Sequence, residues 1–102
     1  MYNFSMKIAI VTGASSGMGR DFARYLDSFL GLDEIWVVAR RRERLEELEK
    51  EIKTKVRILS LDITSEESIK AIEKNLEEEK PNVEYLVNAA GFGIFGAFTK
   101  ND

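Results

Sequence analysis

Short apolar runs alternate with amphipathic stretches of helical period along this chain, with almost no linker between them. Ile8, Ala9, Ile10 and Val11 form the first run, and Ile35, Trp36, Val37 and Val38 the second. Neither run is interrupted by polar residues, so each suits a strand covered on both faces. A third strand is predicted over 56–61 and a fourth over 83–88. After the first run, Phe22, Leu26, Phe29 and Leu30 recur at helical spacing, with Gly31 placed as the helix stop. Leu45, Leu48 and Ile52 make the stripe of a second helix over 41–53, and Ile69, Ile72 and Leu76 that of a third. Thr64 and Glu67 have capping-box spacing at the start of the third helix, and Pro81 ends it. Strands alternating with helices of this length build parallel βαβ units with right-handed crossovers. The expected fold class is α/β, three layers around a parallel sheet of order 3-2-1-4, with the third and fourth strands at its edges.

The chain has 102 residues, enough for one domain and too few for two ordinary ones. With 44% apolar and 32% charged residues it has the material for a core. It contains no cysteine and no histidine, which removes disulfides, thiolate chemistry and the commonest metal ligands, so no metal site is expected. A formal charge of −3 argues against a nucleic-acid partner, whose phosphates require a net basic face. No apolar run approaches the roughly 18 residues of a membrane span, and the first residues lack a signal peptide's apolar stretch. These features predict a single soluble, cytoplasmic domain over 1–102. Phe92, Phe95 and Phe98 lie among glycines in the final stretch, 91–102, which reads as an irregular tail leading towards a helix absent from the sequence.

The densest local signal is Thr12-Gly13-Ala14-Ser15-Ser16-Gly17-Met18-Gly19, between the first strand and the first helix. Glycines there let the backbone turn tightly and approach a pyrophosphate, while the N–H groups of the helix start face the negative charge. A tight strand-to-helix turn without a ligand satisfies the same residues. The spacing is G-x-x-x-G-x-G, not G-x-G-x-x-G, and the absence of a following Gly-Lys-Ser/Thr excludes a Walker A loop.

A site for NAD places an acid about 20 residues further on, against the ribose hydroxyls. Here that position holds Ala39 followed by Arg40-Arg41-Arg42. Three arginines at a helix N-terminus oppose its macrodipole, and a docked anion such as the 2′-phosphate of NADP would offset the conflict. The alternative is a solvated basic turn balanced by Glu43, Glu46 and Glu47. Asp62 after the third strand could cap the next turn, and Asn88 after the fourth could tie adjacent loops together. All four features fall at carboxyl ends of successive parallel strands, where open α/β sheets bind ligands.

Together, T-G-A-S-S-G-M-G, L-D-I-T at 61–64 and N-A-A-G at 88–91 resemble the short-chain dehydrogenase/reductase family, whose signatures are T-G-x-x-x-G-x-G and N-N-A-G. The resemblance covers essentially the whole chain. Ala89 departs from the second asparagine of the latter motif. The resemblance implies a Rossmann-like, truncated doubly wound fold. It also implies that Gly13, Ser15, Ser16, Gly17, Met18 and Gly19 line a pyrophosphate and the adjacent ribose, and that Arg40 and Arg41 read a 2′-phosphate. Asp62 and Ile63 would flank the adenine, and Asn88, Ala89, Ala90 and Gly91 would border the ribose. The implied cofactor is NADP(H) in preference to NAD(H), in an oxidoreductase that moves hydride between the nicotinamide and a carbonyl or alcohol.

The family's catalytic serine and Tyr-x-x-x-Lys pair lie further along than this sequence runs. Tyr2, Tyr25 and Tyr85 are followed four residues later by Met6, Phe29 and Ala89, so no catalytic residue is assigned. The chain reads as the cofactor half of such an enzyme, inactive alone. A free-standing, non-catalytic module binding a nucleotide or partner is the second reading, and a methyltransferase-like Rossmann protein, weakened by N-A-A-G, the third. The unpaired fourth strand and uncovered sheet face are expected to drive self-association, most simply as a dimer.

Overall fold

A computed structural model describes residues 6–15 and 17–89. Its elements are β1 (Lys7–Thr12), α1 (Gly17–Leu26), β2 (Glu34–Ala39), α2 (Arg42–Glu51), β3 (Lys55–Ser60), α3 (Glu66–Glu79) and β4 (Asn82–Asn88). The four strands form one parallel sheet in the order β3-β2-β1-β4. This is the expected order, produced by two crossovers on one side of β1 and one return to its other side.

Successive side chains of each central strand enter opposite layers. Ala9 and Val11 of β1 and Ile35 and Val37 of β2 pack with Ala23 and Leu26 of α1 and with Leu45, Leu48 and Ile52 around α2. Ile8, Ile10, Trp36 and Val38 turn the other way and meet Ile72 of α3. Both layers need apolar residues, which is why the strand sequences do not alternate. Most of β4 is exposed, and Glu84 interrupts its register with β1 between Val83 and Tyr85.

Two local expectations are corrected. Helix α1 stops at Leu26, short of Phe29 and Leu30, and its buried face is Gly19, Ala23 and Leu26. Ser28 and Asp27 terminate it: the Ser28 hydroxyl donates to the Tyr25 carbonyl at 2.6 Å, and Asp27 accepts from Lys53 N, Thr54 N and the Thr54 hydroxyl. Gly31, at φ +94°, turns the loop that follows instead of capping the helix. The large residues Met18, Phe22 and Tyr25 form an outward stripe because only small side chains fit between α1 and the β1 turn. The second correction is the α3 cap, which is Ser65, whose side chain accepts from Ser68 N. Thr64 is already engaged with Asp62.

The β3 edge carries a cluster of charge. Glu34 is buried and accepts from Trp36 Nε1 at 2.9 Å, while Lys55 and Arg57 each approach its carboxylate to 3.4 Å. Arg57 also lies over the Trp36 ring, 4.6 Å from its centroid, and grips both Glu79 oxygens of α3.

Candidate functional site

The carboxyl ends of β1, β2 and β3 open onto a cleft of about 350 Å³. The β1–α1 turn supplies Gly13 and Ser15, the end of β2 supplies Arg40, the β3–α3 loop supplies Asp62 and Ile63, and Ala89 closes the side beyond β4. Val38, Ala39, Leu61 and Thr64 complete its walls, four residues outside the expected site set. Leu61 and Thr64 were within reach, since they flank the Asp62-Ile63 pair in L-D-I-T.

The turn is shaped by two glycines for different reasons. Gly13 has φ +68°, a conformation other residues rarely adopt. A Cβ on Gly19 would stand 2.0 Å from Gly13 O and 2.9 Å from Ala14 Cα, so the first turn of α1 rests directly on backbone. At Gly17 a Cβ would meet nothing within 4 Å among the described residues. Ala14 N reaches across to Val38 O at 3.2 Å and ties the turn to β2.

Arg40 and Arg41 are both exposed, but they differ in position. Arg40 lines the cleft, whereas Arg41 is the N-cap residue of α2, with no side-chain cap bond. Arg42 pairs with Glu46 at 3.1 Å, so that arginine is balanced within its own helix. Asp62 Oδ1 accepts from the Thr64 hydroxyl at 2.6 Å and from Thr64 N at 3.0 Å. These two donors, hydroxyl first, hold its carboxyl below the usual carboxylate range, and the charge of Arg40 adds to the effect. Asp62 is therefore anionic opposite a cationic rim.

Asn88 Oδ1 accepts from the Thr12 hydroxyl at 3.0 Å, and Ala89 N donates to Thr12 O at 3.1 Å. Thr12 thus joins the ends of β1 and β4 beneath the cleft, a role that sequence reading missed. Met18 is 63% exposed and lines a separate shallow depression with Phe22 and Tyr25. Ser16, Ala90 and Gly91 lie outside the described residues, as does the 91–102 tail. No helix among the described residues is long and apolar enough to cross a membrane.

Comparison with known proteins gives a consistent result. The short chain dehydrogenase family model matches residues 7–102. An uncharacterised oxidoreductase of Staphylococcus epidermidis is 33% identical over 93 residues, covering 91% of this chain and 40% of the relative. An NADP-dependent 3-hydroxy acid dehydrogenase of Schizosaccharomyces pombe is 32% identical over 92 residues, covering 86% of this chain and 35% of its own length. Among solved structures, L-sorbose reductase from Gluconobacter frateurii, complexed with NADPH and L-sorbose, superimposes with a TM-score of 0.70 at 29% identity. The match covers 90% of this chain and 36% of that one. The chain thus spans two-fifths or less of the length of these proteins.

Proposed function

We propose that this chain, which belongs to the short chain dehydrogenase family, is the NADP(H)-binding portion of an oxidoreductase acting on a carbonyl or alcohol. The observation that carries the reading is Arg40 on the rim of the strand-end cleft, where an NAD site would present an acid. Gly17 supports it. Gly13 and Gly19 are required by the protein's own backbone, but the space beside Gly17 is open. Glycine costs stability in a helix relative to alanine, and what it provides at a helix start is room for a pyrophosphate to reach the N–H groups.

The cleft walls Val38, Ile63 and Leu61 offer apolar surface to a flat base, and Asp62 offers an acceptor to an amine on it. Arg40 meets a phosphate on the ribose with a charge-assisted contact. Thr12 and Asn88 fix the spacing of the β1 and β4 ends on which the ribose and nicotinamide side of the site would be built. A bound nicotinamide dinucleotide supplies the hydride acceptor or donor. A proton donor of the Tyr-x-x-x-Lys kind is not among these 102 residues, so the chain's own part is binding and orientation.

If Arg40 reads the phosphate, NADP(H) binds more tightly than NAD(H) by about 1.5–3 kcal/mol, and Arg40→Asp narrows or inverts that gap. Titration of both cofactors against both proteins tests it. Equal affinities, unmoved by the substitution, would overturn the reading. Self-association across β4 belongs to the same proposal: its edge has no partner strand among the described residues, and Val83 and Tyr85 are exposed on it.

A further inference from the structure

Arg40 sits at the junction where β2 ends and α2 begins, and its neighbours on both sides are anchored. Ala39 is the last residue of β2 in register with β3, opposite Ser60, and its carbonyl accepts from Leu61 N at 2.9 Å. Arg41 begins α2 as an N-cap in extended conformation, φ −92° and ψ 100°, and its carbonyl accepts from Leu45 N at 3.3 Å. Between them the Arg40 carbonyl has left the ladder. It is met by the Ser60 hydroxyl, which donates to it at 3.2 Å across the strand ends.

We propose that Ser60 is a positioning residue for cofactor discrimination: by holding the Arg40 carbonyl it fixes the backbone from which the guanidinium is aimed at the cleft rim. Arg40 is exposed, and a long side chain on an exposed turn retains much rotational freedom. Fixing the peptide plane at its root reduces the volume that the guanidinium samples. Ser60 itself is exposed at the end of β3 and is not a wall of the cleft. Its effect is therefore confined to what Arg40 reads, a phosphate on the adenosine ribose, and does not reach the base or the pyrophosphate.

The inference rests on the proposed cofactor reading, and one set of titrations separates the two. The probes are 2′,5′-ADP and 5′-AMP, which differ only in the 2′-phosphate. They are added to the wild-type chain, Ser60→Ala, Ser60→Thr, Arg40→Gln and the Ser60→Ala/Arg40→Gln double variant. The wild-type chain prefers 2′,5′-ADP. Ser60→Ala loses about two- to thirteenfold of that preference, the span of one net hydrogen bond, while its affinity for 5′-AMP is unchanged. Ser60→Thr, which keeps the hydroxyl, restores the preference. In the Arg40→Gln background the Ser60 substitution has no further effect. An unchanged ratio in Ser60→Ala, an equal loss for both probes, or the same loss without Arg40 would overturn the inference and leave the cofactor reading standing. A wild-type chain with no preference for 2′,5′-ADP would overturn both.

Discussion

Replacing Gly19 by alanine tests the contact on which the whole strand-end site is seated. The added Cβ would lie 2.0 Å from Gly13 O, 2.6 Å from Gly13 C and 2.9 Å from Ala14 Cα, all backbone atoms. None can rotate aside like a side-chain tip, so α1 must lift or the turn must open. Overpacking of this kind costs about 3 kcal/mol, the upper end of its usual range. Alanine's better helix propensity returns at most ~1 kcal/mol, leaving a net loss of about 2 kcal/mol. With a urea m-value of about 1.2 kcal/mol/M, the midpoint should fall by about 1.5–2 M. The single tryptophan, Trp36, is fully buried, so its fluorescence follows the transition. Gly17→Ala is the control. It meets nothing within 4 Å among the described residues and should leave the midpoint unchanged or slightly raised, while weakening NADP(H) binding. A Gly19→Ala midpoint within about 0.3 M of wild type would refute the steric argument. So would a Gly17→Ala protein as destabilised as Gly19→Ala.

Burial pushes the Asp27 carboxyl up, but donation from Thr54 N, Lys53 N and the Thr54 hydroxyl outweighs it and holds the group below its ordinary value. A carboxyl depressed in the folded state adds stability above about pH 4, and that stability disappears as pH falls through the folded value. Asp27→Asn should therefore lower stability at neutral pH and flatten its decline in acid. An acid limb as steep as the wild type's would contradict this. Sedimentation at high micromolar concentration should show self-association that Tyr85→Lys reduces, and a clean wild-type monomer would remove the β4 proposal. Purified residues 1–102 should bind cofactor without oxidising NADPH in the presence of ketones, and turnover above background would be the contrary result.

The sheet was legible because β1 and β2 are buried on two faces, and continuous apolar runs of that kind have few other uses. The cleft was legible in its backbone-defined parts, Gly13, Arg40 and Asp62, since the strand ends dictate where those residues stand. Helix α1 was misread because apolar periodicity measures bulk, whereas its inner face is chosen for smallness: Gly19 and Ala23 are buried while Phe22 is 40% exposed. Thr64 was misread as the α3 cap because Thr64 and Ser65 compete for that role, and Asp62 settles the competition by binding Thr64 first. Ser60 and Thr12 act by single hydroxyl bonds across strands far apart in sequence, and no local pattern marks them.

The two margins of the sheet are chemically unlike. At β3, Arg57 is engaged with Glu34, Trp36 and Glu79 and Lys55 adds a second charge, the kind of charged edge that discourages an arriving strand. At β4 no comparable charged cluster stands among the described residues: Tyr85 packs edge-on against Phe29, ring centroids 5.1 Å apart. In the proposed self-association each copy offers the β4 margin alone, a valence of one. Joining two copies through that margin consumes every site for growth, so association by this route ends at a pair and cannot propagate into a filament. Removing Arg57 would weaken the guard on the other margin and favour a second point of attachment.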